Sequence, residues 1–334
     1  MIKYLATACE DTRKYSSAFD VQIVNIAECG DTFDASFVAA LIAFDKNRKE
    51  KNMLLGFNML LWTTNVTEEH FPIFDKLKQA GYDGIELPIF EGTPEQFAKV
   101  GEAVRNSGLR ATAVCVMPDE EHSCLSGDKS IQQSALNHIQ WAVDCLEASG
   151  GELLCGPFHQ PLGVFTGEPP TEDELNNLVT VHKKAAQYAG ERNIKLAVEP
   201  LNRFECYVLN TVEDAAAIVK RVDNPNYGLL YDTFHANIEE KDPVGVITPN
   251  LGCINHVHFS ENDRGTPGKG HVPWQATLTT LKNNGYDGWC TIESFGRALP
   301  ELAAATRVWR DFFPAREEVY EFGHDFLRET WAKA

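Results

Sequence analysis

Eight short apolar runs, separated by segments of helical pattern, organise most of this chain. The runs cover residues 54–61, 84–89, 111–117, 152–156, 194–198, 227–231, 254–259 and 289–292. The segments between them carry helix start signals, such as Thr93-Pro94 and the capping-box pairs Thr171 with Glu174 and Thr211 with Asp214. Strands that alternate with helices form a parallel sheet, and eight such units favour closure. The sequence therefore predicts an α/β fold whose single domain is a (β/α)8 TIM barrel.

Residues 1–52 lie outside this pattern. In the stretch Glu28-Cys-Gly-Asp-Thr-Phe-Asp-Ala-Ser-Phe-Val-Ala-Ala-Leu41, a Gly-Asp pair opens an apolar helical segment. This resembles the anion-hole motif of ribokinase-like sugar kinases, in which Gly-Ala-Gly-Asp precedes such a helix. A kinase of that family needs several times this length. We therefore interpret residues 1–52 as an N-terminal extension with a kinase-like fragment, not as an independent domain, and residues 53–334 as the catalytic barrel, whose length suits the ~250 residues typical of such barrels.

Charge and cysteine usage restrict the classes of partner and compartment. The formal net charge is −18, and the sequence contains no cluster of basic residues, so we expect no nucleic-acid partner. No segment approaches the ~18 uninterrupted apolar residues of a membrane span, and no export signal is visible at the N-terminus. The nine cysteines are scattered without a Cys-x-x-Cys pair, which is typical of a reducing compartment. We predict a cytoplasmic protein with a small-molecule substrate.

The last four apolar runs each end at or beside a side chain that can bind a metal. These side chains are Glu199, Asp232, His258 and Glu293. Because active sites of βα barrels lie at the carboxyl ends of the strands, four neighbouring strands would bring them together. Taken singly, Asp232 could instead cap the next helix, and His258 could be an ordinary buried histidine. Three carboxylates and one imidazole without a thiolate favour Mn²⁺, Mg²⁺ or Co²⁺.

Such a site suggests proton transfer next to a carbonyl. A divalent ion that chelates two adjacent oxygens of a hydroxyketone stabilises the enediolate formed when the neighbouring carbon loses its proton. Glu199 and Glu293 would flank this carbon on opposite faces, one removing the proton and the other returning one, which inverts the carbon. Glu205, His235 and Arg264 lie on the same rim and could bind sugar oxygens, although each could equally serve a surface ion pair or a helix start.

Several motifs resemble one enzyme family. They are Glu199-Pro-Leu-Asn-Arg-Phe-Glu205, Tyr231-Asp-Thr-Phe-His235, His256-Val-His-Phe-Ser-Glu-Asn-Asp-Arg264, Pro267-Gly-Lys-Gly270, Val272-Pro-Trp274, Glu293-Ser-Phe295 and Val308-Trp-Arg-Asp311. Together they are similar to the D-tagatose 3-epimerase and D-psicose (allulose) 3-epimerase family of xylose isomerase-like barrels, over most of residues 53–313. Trp62, Glu86 and Ser126-Gly-Asp-Lys-Ser130 are similar too.

The resemblance implies roles for the candidate residues. It implies that Glu199, Asp232, His258 and Glu293 bind the metal, usually Mn²⁺, and that the two glutamates form the acid/base pair. It also implies that the substrate is held by Glu205, His235, Arg264 and Trp62, and that the protein is a homo-oligomer, a dimer or a tetramer.

The sequence does not identify which sugar is the substrate. The segment Gly156-Pro-Phe-His159-Gln-Pro-Leu-Gly163 departs from the aromatic-rich loop of the family, and the first strand lacks its tyrosines. The leading hypothesis is a metal-dependent ketose 3-epimerase acting on a free ketohexose. The alternatives are an aldose–ketose 1,2-isomerase and a lyase acting on a 3-keto glycoside. A DNA repair endonuclease on the same barrel is disfavoured by the net charge of −18, and a non-catalytic sugar-binding protein by the two glutamates.

Overall fold

A closed barrel of eight parallel strands forms the centre of the computed structural model, which describes residues 53–334. The N-terminal extension predicted for residues 1–52 lies outside the described residues, so its boundary stays a prediction. The strands follow one another around the barrel in chain order, and β8 pairs with β1. They are β1 Leu54–Asn58, β2 Gly84–Pro88, β3 Arg110–Val114, β4 Leu153–Gly156, β5 Lys195–Val198, β6 Tyr227–Asp232, β7 Ile254–Phe259 and β8 Trp289–Ile292. The predicted TIM barrel is confirmed.

Helices occupy the connections between the strands. They are α1 Phe71–Ala80, α2 Pro94–Asn106, α3 Lys129–Ser149, α4 Glu172–Gly190, α5 Val212–Val222, α6 Thr233–Glu239, α7 Ile247–Asn250, α8 Trp274–Asn283, α9 Pro300–Ala305 and α10 Gly323–Lys333. Short 3-10 turns lie at Met59–Leu61, Glu68–His70, Glu120–His122 and Leu251–Cys253, and a π-helical turn at Glu318–Phe322 precedes α10. No helix within residues 53–334 is long and apolar enough to cross a membrane.

The predicted helix starts are confirmed in their hydrogen bonds. At α4 the Thr171 hydroxyl accepts the Glu174 N–H at 3.2 Å, and the Glu174 carboxylate accepts the Thr171 N–H at 2.7 Å. Thr211 and Asp214 form the same reciprocal pair at α5. The first apolar run, in contrast, was predicted too long as a strand. The Asn58 side chain accepts the Leu60 N–H at 2.8 Å and turns the chain into the 3-10 segment, so β1 ends at Asn58.

The side chains of Trp289 and Thr291 fit at the amino end of the barrel because glycines without a Cβ face them. A Cβ added to Gly84 would lie 2.6 Å from the Trp289 ring, and one added to Gly56 would lie 2.7 Å from the Thr291 hydroxyl. Gly84 lies on β2 and Trp289 on β8, which are not neighbours, so this contact crosses the interior. The main apolar core lies instead between barrel and helices, where Phe57, for example, is fully buried. A smaller apolar cluster, which includes Val114, Leu153 and Leu230, lies on the strands together with the buried polar side chains of Glu86 and His256.

Candidate active site

The four predicted metal ligands converge at the carboxyl end of the barrel. Glu199 directly follows β5, Asp232 ends β6, His258 is the penultimate residue of β7, and Glu293 directly follows β8. All four are buried, and one ligand atom from each lies within 4.8 Å of those of the others. The pairing of Asp232 with His258 in the β6–β7 ladder puts these two side chains at the same level. We call these four residues the metal group.

The imidazole of His258 is oriented for metal binding. Its Nε2 lies 2.8 Å from Glu86 Oε1, and its Nδ1 faces Glu293 Oε1 at 3.4 Å and Asp232 Oδ2 at 3.8 Å. This buried Nδ1 has no hydrogen-bond partner among residues 53–334. An orphaned nitrogen surrounded by carboxylates fits a divalent cation well, since oxygen and imidazole ligands suit Mn²⁺, Mg²⁺ and Co²⁺. The metal group could therefore hold such an ion.

Asp232 caps a helix, as one of its two interpretations from the sequence predicted, and its second carboxylate oxygen faces the metal group. Its Oδ1 accepts the backbone N–H groups of Phe234 at 2.5 Å and His235 at 3.4 Å, so it caps α6. Its Oδ2 faces the metal group and accepts a hydrogen bond from Arg264 Nη1 at 3.2 Å. The cap fixes the carboxylate plane, so that the second oxygen points at the site.

The pKa values of the two glutamates move in opposite directions. Burial, with the nearby charge of Glu293, raises the pKa of Glu199 well above its usual value. Burial also acts on Glu293, but His258 and Arg264 outweigh it and lower the pKa of Glu293. Burial raises the pKa of Asp232 to about 6. Carboxyl groups whose environments separate their pKa values in this way are typical of acid/base pairs.

Arg264 and His235 lie against the metal group, as the sequence predicted. Arg264 Nη1 donates to Glu293 Oε2 at 2.6 Å, and Arg264 Nη2 lies 3.0 Å from His235 Nε2. His235 is the third residue of α6, and its Nδ1 accepts the Asn202 N–H at 2.9 Å. His235 Nε2 also lies 3.6 Å from Glu199 Oε1. Arg264 and His235 thus lie directly beside the metal group, and we call them the polar rim.

Glu205 and Trp62, the remaining predicted substrate residues, are placed differently. The partly buried Glu205 accepts the side-chain amide of Asn202 at 2.9 Å, and its charge contributes to raising the pKa of Arg264. Glu205 therefore belongs to the polar rim. The Trp62 ring packs 5.1 Å from the ring of Phe57 and 6.0 Å from that of Tyr320, in the layer between barrel and helices. A substrate role for Trp62 stays a prediction.

Comparisons with known proteins agree with this architecture. The model of the family described as xylose isomerase-like TIM barrel matches residues 74–330. The chain belongs to this family. A probable ketose 3-epimerase from Synechocystis sp. is 33% identical over 279 residues, which cover 83% of this chain and 96% of the relative. A ketose 3-epimerase from Arthrobacter globiformis is 29% identical, with 83% and 96% covered. Like these relatives, the chain is an enzyme of the isomerase class.

A solved structure from the same family supports the fold and the relationship. The crystal structure of a D-allulose 3-epimerase from Methylomonas sp. in complex with D-allulose superposes with a TM-score of 0.78 at 28% identity. The match covers 84% of this chain and 98% of that enzyme. The family barrel is therefore present over nearly its whole length.

Two buried glutamates of this family member were given no role from the sequence. Glu86 lies inside β2, where burial would raise its pKa, but His258 and His256 hold it well below the usual value. The sequence feature that indicates a role for Glu86 is its position as a single acidic residue in an otherwise apolar strand. The fully buried Glu261 accepts the Gly268 N–H and the Trp274 indole N–H, each at 2.8 Å. It holds together the glycine-rich loop that also carries Arg264.

Proposed function

We propose that this protein is a divalent-metal-dependent ketose 3-epimerase that inverts C3 of a free ketohexose. The observation that carries the proposal is the buried convergence of Glu199, Asp232, His258 and Glu293, with the orphaned His258 Nδ1 among the carboxylates. The relatives named as ketose 3-epimerases support the same reaction. When bound by these four residues, the ion, for which we propose Mn²⁺ with Mg²⁺ or Co²⁺ as substitutes, would supply Lewis-acid polarisation of the sugar oxygens.

The two glutamates then divide the proton transfer at C3. Glu199 and Glu293 follow β5 and β8, the first and last of the four strands, and so reach the substrate from different sides. One removes the C3 proton to give an enediolate, and the other returns a proton to the opposite face.

The polar rim orients the sugar. The Arg264 guanidinium and the His235 imidazole lie within hydrogen-bond distance of each other and beside both proposed acid/base groups. We assign them, with Glu205, to the oxygens around C1 and C2 of the ketose. Donors that are already oriented lower the cost of placing the reacting carbon between the glutamates. The cytoplasmic location and the dimeric or tetrameric assembly stay predictions.

The reaction can be followed by deuterium incorporation. The Mn²⁺-loaded protein is incubated with fructose, tagatose, psicose and sorbose in deuterated water, and the products are analysed by NMR. We expect deuterium at C3 together with an inverted C3 centre. Deuterium at C1 of a ketose or C2 of an aldose would instead identify a 1,2-isomerase. Absence of exchange on every free sugar would refute a free ketohexose as substrate and favour an oxidised glycoside.

A matched variant connects the exchange to the site. Glu293→Gln keeps the size of the side chain but removes a proposed proton acceptor, so we expect exchange at C3 to fall by about 10²–10⁴-fold. Circular dichroism of the variant checks that the barrel is intact. Full activity of Glu293→Gln would contradict the proposed proton transfer.

A further inference from the structure

We propose that Glu86 is a positioning residue that holds the proton of His258 on Nε2, so that the Nδ1 lone pair faces the metal group. In this arrangement a carboxylate beneath the site, which touches neither metal nor substrate, sets the affinity for the metal. The inference rests on the proposed function only in requiring that the metal group binds a divalent ion.

Glu86 is surrounded by hydrogen-bond donors. It is fully buried, and Asn58 Nδ2 and His258 Nε2 lie 2.9 and 2.8 Å from its Oε1. His256 Nε2 and Thr112 Oγ1 lie 2.8 and 3.1 Å from its Oε2, and the Cys155 thiol lies 3.3 Å away. An ionised carboxylate only accepts hydrogen bonds, and its roughly four lone-pair sites suffice for the Asn58 amide, the Thr112 hydroxyl and the two imidazoles, whereas the single oxygen of an amide does not.

These contacts determine which nitrogen of His258 is free. A neutral imidazole carries one N–H, and the partner of that N–H decides which nitrogen keeps its lone pair. Because Glu86 can only accept, the 2.8 Å contact requires the proton on His258 Nε2. The lone pair then remains on Nδ1, which faces Glu293 and Asp232. Carboxylates that accept the distal N–H of a histidine ligand fix its orientation and raise its basicity.

The second histidine makes the arrangement rigid. His256 Nε2 lies against Oε2 of Glu86, while His258 Nε2 lies against Oε1, and the two rings cross at 75° with centroids 5.1 Å apart. Each oxygen of the carboxylate is therefore bound to a different imidazole on β7. Rotation of the Glu86 carboxylate would break both contacts, so the orientation of His258 is held from β2 across the barrel.

A second metal site is the competing explanation. Ligand atoms of Glu86, Cys155, His256 and His258 also lie within 4.8 Å of one another. However, a metal there would need His258 Nε2 without its proton, and both Glu86 oxygens already face N–H and O–H donors at hydrogen-bond distances. Hydrogen bonding accounts for the cluster more completely, and it predicts one metal ion per chain.

The decisive variant is Glu86→Gln. The amide nitrogen of glutamine would face either His258 or His256, donor against donor, so one of the two imidazoles has to turn or change its tautomer. We expect the Kd for Mn²⁺ to rise by about 10–100-fold, measured as free Mn²⁺ by electron paramagnetic resonance during titration. Glu152→Gln is the matched control, because Glu152 accepts from Arg110 and Trp289 at the other end of the barrel. Its Kd should equal that of the unaltered protein.

A measurement on the unaltered protein makes the test independent of how the variant folds. In Mg²⁺-loaded protein labelled with ¹⁵N-histidine, we expect NMR to find the His258 proton on Nε2 and none on Nδ1. A proton on Nδ1, two Mn²⁺ ions per chain, or an unchanged Kd in folded Glu86→Gln would each overturn the inference. Failure of the unaltered protein to bind Mn²⁺ would instead contradict the proposed function.

Discussion

Arg264 combines an unusual backbone conformation with many side-chain contacts in the site. Its backbone adopts φ +64°, a left-handed conformation that is uncommon for residues other than glycine. Its guanidinium carbon lies 3.8 Å from the ring centroid of Phe234 and 4.8 Å from that of Phe295. The guanidinium group donates hydrogen bonds from Nη1 to the carboxylates of Asp232 and Glu293, and its Nη2 contacts His235. A planar cation is required to make all these contacts at once.

Replacement of Arg264 by lysine should therefore not be conservative. Lysine keeps the charge but loses the planar fork and the stacking, so we expect Arg264→Lys to lower kcat/KM for the ketose by about tenfold or more. Steady-state kinetics measure this effect. The control is Arg192→Lys, since Arg192 also stacks on an aromatic ring, that of Tyr188, but pairs with Asp144 and Glu147 on α3. Equal kinetics for both variants would show that the fork of Arg264 is dispensable.

At the scale of elements, a glycine decides how closely two outer helices pack. Gly101 lies inside α2, and a Cβ added there would be 2.0 Å from the carbonyl oxygen of Ser149, the last residue of α3. The same carbonyl accepts a hydrogen bond from Arg105 of α2 at 2.8 Å. The two helices can therefore approach only while position 101 lacks a side chain.

Gly101→Ala tests this contact against helix propensity. In an exposed helix the change would stabilise by about 1 kcal/mol, but here the methyl group meets backbone that has to move. We expect a net destabilisation of about 1–3 kcal/mol, measured by urea unfolding. Gly127→Ala is the control, because no atom lies within 4 Å of a Cβ added at that exposed position. Greater stability of Gly101→Ala would show that α2 and α3 can separate at little cost.

For the whole molecule, two buried histidines contribute to the response to acid. Burial, together with His182, lowers the pKa of His159 to about 3, and burial lowers that of His182 to about 4. Neither ring nitrogen of His159 has a partner within residues 53–334. An unfolded histidine takes up its proton near pH 6.5. Below that pH the unfolded chain binds protons that the folded chain does not, so stability falls as the pH falls from about 6.5 towards 3–4.

His159→Leu should reduce this acid sensitivity. Between pH 7 and pH 5 one such histidine lowers the free energy of unfolding by about 2 kcal/mol, and the leucine variant lacks that contribution. Urea unfolding of both proteins at the two pH values measures the difference directly, and the other titrating groups cancel in the comparison. An identical loss of stability in the two proteins would mean that His159 is protonated without cost in the folded state.

Features that depend on local chemistry were predictable from the order of residues. The capping boxes at Thr171 and Thr211 involve residues three apart, and the strands follow from short apolar runs. The metal group followed as well, because parallel strands in a βα barrel deliver their carboxyl ends to one place. Even the early end of β1 has a local cause, the Asn58 side chain, although it was missed.

Features that depend on contacts across the barrel were decided only by the tertiary structure. Glu86 meets His258, which is 172 residues away, because both side chains point into the same interior at the same level. The carbonyl of Arg264 accepts hydrogen bonds from the Ser294 hydroxyl and the Phe295 N–H, and Trp62 packs against Tyr320, so both residues likewise contact groups distant in sequence. The amino-acid sequence by itself thus determined the barrel and the convergence of its four candidate ligands through local periodicity. Strand register and closure decided which buried groups lie against those residues, since no periodic pattern encodes contacts between strands that are not neighbours.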